Sequence, residues 1–266
     1  MATQVGRRNH PKGIFMRTSF GPLLGLALVT LSTPAFADET DPPPAVTING
    51  TATVVSDYRF RGISQTNKDF AVQGSLTLTH KSGFYVGVWG SSVSEYVAAG
   101  ADQEIDLSAG FKKTLGGTTL DVGVLLYVYP GHDDLIPGYD ANFIEPYVSV
   151  SHTLGPVTGK LSAAYAPKQK ALSVGSGKED SLYLAGDFSA GLGSSGVSVT
   201  AHIGRSFGPS FLTIGKNYTD WSLGASYAWK NLSFGVSYVD TNKASISPFG
   251  KNISKAGVVG TIGVSF

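Results

Sequence analysis

Residues 218–241 read YTDWSLGASYAWKNLSFGVSYVDT, and the period of this stretch decides the fold. Trp221, Leu223, Ala225, Tyr227 and Trp229 share one face of an extended segment, opposite Ser222, Gly224, Ser226 and Ala228. After Lys230 and Asn231, Leu232, Phe234, Val236 and Tyr238 continue the apolar face, opposite Ser233, Gly235 and Ser237. Successive side chains of a strand point to opposite faces, so this is a hairpin with one apolar and one small or polar face. Each arm has the length that a tilted strand needs to cross a bilayer.

The same period runs through the chain from Val46, with no helical stripe of four turns. It predicts twelve strands at 46–55, 71–80, 84–92, 103–114, 118–129, 142–154, 157–166, 181–192, 197–207, 218–229, 232–241 and 256–266. Short turns at Lys81-Ser82-Gly83, Gly116-Gly117, Gly155-Pro156, Ser194-Ser195 and Lys230-Asn231 alternate with long connections at 56–70, 93–102, 130–141, 167–180, 208–217 and 242–255. That rhythm predicts an all-β fold, a transmembrane antiparallel up-and-down β-barrel of about 12 strands with both termini periplasmic. A secreted sandwich or jelly roll would show similar alternation, but has no reason to alternate its connections in this way.

Composition agrees with a membrane barrel. Only 15% of the 266 residues are charged, against roughly 25% in an average soluble domain. With no Cys, disulfide scaffolds, thiolate metal sites and thiol catalysis are excluded. Phe20 to Leu31 form an apolar run between Arg17 and Ala35-Phe36-Ala37, the pattern of an export signal, so residues 1–37 are read as a signal peptide, with Met16 as an alternative start. Residues 38–45 form a Pro-rich lead-in and 46–266 the barrel. Beyond residue 37 the chain has sixteen basic and nineteen acidic residues, a formal charge of −3, and no nucleic-acid footprint.

Several stretches resemble the TorF family of porins, a group of proteobacterial outer-membrane proteins. The most specific are Ser56-Asp57-Tyr58-Arg59-Phe60-Arg61-Gly62-Ile63-Ser64-Gln65-Thr66 and Ser82-Gly83-Phe84-Tyr85-Val86-Gly87-Val88-Trp89-Gly90-Ser91. Glu104-Ile105-Asp106-Leu107, Tyr129-Pro130-Gly131, Tyr218-Thr219-Asp220-Trp221-Ser222 and Ser237-Tyr238-Val239-Asp240-Thr241 extend the likeness over most of residues 46–266. The resemblance implies an outer-membrane barrel with a pore function, and no substrate, cofactor or catalytic residue.

If the apolar faces meet lipid, the polar faces line a lumen. The inward parity collects Arg59 and Arg61 near the top of the first strand, with Glu104 and Asp106 on the fourth and Glu145 on the sixth. Such opposed charges can form a constriction that selects ions. Equally, the Arg-Phe-Arg stretch can tie down the first long loop through salt bridges. Acidic residues slightly outnumber basic ones at inward positions, a lean toward cations. Turn geometry pairs Lys112 with Asp121, Asp187 with His202, Ser189 with Thr200, Leu78 with Val86 and Leu76 with Val88.

Asp187, His202 and Ser189 invite comparison with a hydrolase, but no oxyanion-donor feature accompanies them. No HExxH, GxSxG, P-loop or EF-hand pattern is present, and no cofactor is implied. His132, Asp133, Asp134 and Asp140 could hold a divalent cation weakly, or simply be solvated. Outward Trp221, Tyr227, Trp229, Phe234, Tyr238, Phe207 and Phe266 suit the aromatic girdles at the membrane interfaces. Inward Tyr85, Trp89, Tyr127, Tyr129, Tyr147 and Tyr183 would narrow or plug the lumen. The terminal Phe266 also resembles the signal read by the outer-membrane assembly machinery. The expected function is a channel for small hydrophilic solutes in the outer membrane, surrounded by lipid and lipopolysaccharide. Binding through the long extracellular loops is the alternative.

Overall fold

The structure, a computed structural model, describes residues 44–174 and 177–266. The signal segment 1–37 and most of the lead-in lie outside the described residues. Fourteen strands run in chain order: β1 (Val46–Val55), β2 (Arg59–Phe60), β3 (Ile63–Ser64), β4 (Ala71–His80), β5 (Phe84–Ser92), β6 (Gln103–Leu115) and β7 (Thr118–Val128). They continue as β8 (Phe143–Leu154), β9 (Val157–Gln169), β10 (Glu179–Gly191), β11 (Val197–Phe207), β12 (Tyr218–Trp229), β13 (Leu232–Thr241) and β14 (Gly257–Ser265). Twelve of them close into one antiparallel barrel, while β2 and β3 form a separate small hairpin.

The barrel strands fall within three residues of the positions that alternation predicts. The largest differences are at β9 and β10, which run on beyond 166 and begin before 181. The β2–β3 hairpin was not anticipated, and it proves central to the site. Each predicted cross-strand pair is in register: Lys112 opposite Asp121, Asp187 opposite His202, Ser189 opposite Thr200, Leu78 opposite Val86 and Leu76 opposite Val88. Gly116 and Gly117 set one of these registers, since both adopt positive φ (54° and 87°), as the two-residue hairpin turn requires.

Closure joins β14 to β1, with Thr51 opposite Ser265 and Val55 opposite Thr261. Gly50 and Phe266 exchange two backbone hydrogen bonds of 2.8 and 3.0 Å. The Phe266 ring lies across Gly50, where any added side chain would collide with it. The terminal aromatic residue therefore locks the seam as well as facing outward.

Each barrel strand exposes at least one large apolar side chain, among them Ile48, Val72, Phe84, Leu107, Val122, Val148, Leu161, Leu184, Ile203, Leu223, Val236 and Val258. An apolar belt that encircles the whole molecule cannot be one sheet's hidden core face, because it has no second sheet to cover it. Lipid is the medium that matches it, and full closure leaves no edge strand with unpaired backbone groups in that medium.

Inside, aromatic rings lie flat against glycines. Tyr85 sits opposite Gly110 and Tyr147 opposite Gly123, and a Cβ on either glycine would meet the tyrosine hydroxyl. Tyr183 covers Gly204 in the same way. Gly204→Val is therefore expected to force the Tyr183 ring aside and destabilise the barrel by about 1–3 kcal/mol, the usual cost of overpacking. A urea unfolding midpoint equal to wild type would show that the ring has room to move.

Candidate functional site

The first long connection turns back into the barrel through the β2–β3 hairpin. Arg61 and Gly62 occupy its two central positions at φ 48° and 80°. This is the same turn class as Gly116-Gly117, but with an arginine in a left-handed conformation that costs about 1–3 kcal/mol and needs support from elsewhere. The support is ionic. Nη2 of Arg61 donates to both carboxylate oxygens of Glu145 on β8, at 2.7 and 2.8 Å, with the two side chains only 1% and 0% exposed. The guanidinium also lies over the rings of Tyr183 and Phe60, 4.2 and 4.7 Å from their centroids. Burial opposes the charge on Arg61, but Glu145 outweighs it and leaves the Arg61 pKa raised.

Arg59 takes a different role from the one expected. Its Nε donates to Asp57 at 2.6 Å, and its Nη1 donates to the carbonyls of Gly62, Ile253 and Lys255 at 3.0, 3.2 and 3.2 Å. It therefore staples the hairpin to the last long loop and does not face Glu104 or Asp106. Asp57 also accepts from the Ser64 hydroxyl at 2.5 Å. Glu104 accepts from the hydroxyl of Tyr58 at 3.2 Å, and Oδ1 of Asp106 is buried with no partner. The five proposed constriction residues thus divide into one direct pair, Arg61 with Glu145, one loop staple, Arg59, and two acids among tyrosines. Tyr58, Tyr127, Tyr129 and Phe143 are buried around them, with the Tyr127 and Phe143 rings stacked at 4.1 Å. Backbone parity places side chains on the inner face of a strand; it does not show that an irregular loop comes down among them.

Below this plug the lumen is polar. Lys112 lies 3.5 Å from Asp121, which also accepts from Tyr85 at 2.8 Å. His202 is bracketed by two carboxylates, Nδ1 2.7 Å from Asp187 and Nε2 3.0 Å from Asp220. Tyr183 donates to Asp220 at 3.0 Å. Both His202 nitrogens are thus engaged without Ser189, and the arrangement is not that of a nucleophile and its base. Asp220 was missed, although it shares the polar face with Ser222; the signal needed was the β11–β12 register, which sets Asp220 opposite Gly204, two residues from His202. His132, Asp133, Asp134 and Asp140 form no metal-holding group, and among the described residues no set of three or more His, Asp or Glu side chains does.

A cavity of about 430 Å³ fills the lower lumen, reaching Gly193 and Gly196 at a short turn and ending against Arg59, Arg61 and Gly62. Ser149, Ser162, Ser189, Thr200, Ser222 and Ser237 line its wall. The acids Glu104, Asp106 and Glu145 do not reach it.

A closed twelve-stranded barrel with an apolar outer belt and a polar lower lumen is a porin-type fold, and its place is the outer membrane. The chain belongs to the Gcw_chp family, described as bacterial proteins of unknown function, whose model matches residues 38–266. Among solved structures it is similar to the NanC porin, at TM-score 0.55 and 11% identity over 83% of this chain and 99% of that one. A membrane protein solved in a study of in-meso crystallisation is similar at TM-score 0.52 and 11% identity, over 82% of this chain and 83% of that one. No curated protein sequence matches.

Proposed function

We propose that the protein is a porin-like outer-membrane channel for small hydrophilic solutes, closed in this conformation by its first long loop. The observation that carries this reading is the hydroxyl-lined cavity, which runs up the lumen and stops at a hairpin rather than at a strand wall. The hairpin is held to the barrel wall at the top of the cavity by the Arg61–Glu145 ion pair and by ring contacts to Tyr183 and Tyr127, so displacing one turn would open the path. The stretch on which the chain resembles TorF-family porins, Ser56 to Thr66, is this plug itself. Both termini would be periplasmic, at the end of the barrel that carries the short turns. Phe266 would present the seam strand to the assembly machinery, and Tyr227, Trp229, Phe234 and Tyr238 would anchor one rim among lipid and lipopolysaccharide headgroups. No enzymatic role is proposed, since His202 is fully occupied by structural partners.

Planar-bilayer recording tests the reading. Refolded wild-type protein should give rare, brief openings, and a variant with residues 58–66 replaced by a short Gly-Ser linker should give long-lived steps of larger conductance. A linker variant that folds yet conducts no ions would overturn the channel.

A further inference from the structure

We infer that the head of the lumen cavity is a binding site for a small oxyanion, a carboxylate or phosphate group on the permeating solute. Three observations converge on it. Arg61 uses only Nη2 for Glu145; its Nε and Nη1 are buried, have no hydrogen-bond partner among the described residues, and belong to a side chain that lines the cavity. Ser237, on the cavity wall, also has a buried hydroxyl without a partner. Lys160, from β9, lines the same cavity with no carboxylate within ion-pairing distance among the described residues. Buried donors are ordinarily satisfied, and the unsatisfied groups of Arg61 and Ser237 mark where acceptor atoms belong. Both forked edges of the guanidinium include Nη2, which Glu145 occupies, so the free Nε and Nη1 groups can each donate singly to an oxygen of an anion.

Charges of both signs surround the site, and both arginines are already paired, Arg59 with Asp57 and Arg61 with Glu145. Arg59, Arg61 and Lys160 line the cavity against Asp187 and Asp220. Those two carboxylates share His202. Asp187 also lies opposite Lys160 in the β9–β10 ladder, but its nearest partner is His202. Glu104 and Asp106 lie among the tyrosines and do not line the cavity, while Glu145 meets it only through Arg61.

The inference rests on the channel reading for the route by which a solute arrives, but its test reads binding alone. Detergent-refolded protein would be dialysed to equilibrium against labelled inorganic phosphate, labelled acetate and, as a neutral control, labelled glucose. At least one anion should bind with millimolar Kd and saturate at one site, while glucose should not. Lys160→Gln, which leaves the plug untouched, should weaken binding about ten-fold, the loss expected for one charge-assisted hydrogen bond. Arg61→Lys keeps a cation beside Glu145 but removes the free Nε and Nη1 donors, and should weaken it at least as much. Binding of both anions no stronger than glucose, or wild-type affinity in Lys160→Gln, would overturn the site and assign the free donors to water. Retained anion binding in a barrel that never conducts would leave the site standing and remove the channel.

Discussion

Glu145→Ala is expected to unseat the first long loop while leaving the barrel closed. The substitution strands the Arg61 guanidinium in a nearly water-free position, and breaking a buried pair from one side typically costs about 3–5 kcal/mol. The strained left-handed backbone at Arg61 adds to the incentive to leave. The barrel ladders do not depend on this pair, so heat-modifiable migration on gels should survive. Loop release should appear as trypsin cleavage at Arg59, Arg61 or Lys68, and as longer channel openings. Glu145→Gln keeps an acceptor for Nη2 and should release the loop less. Full trypsin protection in Glu145→Ala would mean that the Arg59 staple, not the Arg61 pair, holds the plug.

Leu223→Arg should have the second large effect. Leu223 lies mid-strand on β12, is 63% exposed, and points into the apolar belt. A charge at the bilayer midplane on a barrel's lipid face costs about 2–4 kcal/mol. Refolding into vesicles should fall accordingly, while Ser222→Arg, one residue away on the lumen face, should refold far more nearly like wild type. Equal behaviour of the two variants would contradict the assignment of the outer face to lipid.

The barrel was legible in the sequence because each of its determinants is local. Trp221, Leu223 and Tyr227 alternate with Ser222, Gly224 and Ser226 whatever the rest of the chain does, and Gly116-Gly117 sets a register through its own dihedral angles. From such turns the pairs Lys112–Asp121 and Asp187–His202 follow by counting. The site was only partly legible. Arg59, Arg61, Glu104, Asp106 and Glu145 do gather in the same half of the barrel, but counting along strands could not divide them into a pair, a staple and two acids buried among tyrosines. The turn that divides them uses Arg-Gly, which lacks the Asn-Gly or Asp-Gly signature of its class.

Alternation and turn spacing thus determined by themselves the strand number, the register, the lipid face and the closed barrel, since each strand's period and each short turn's geometry act over a few residues. The position of the first long loop was decided only in three dimensions. Its fold depends on Arg61 reaching a carboxylate 84 residues away and on Arg59 reaching carbonyls 194 and 196 residues away. Such contacts exist only once the barrel has closed and brought distant strands and loops around one space.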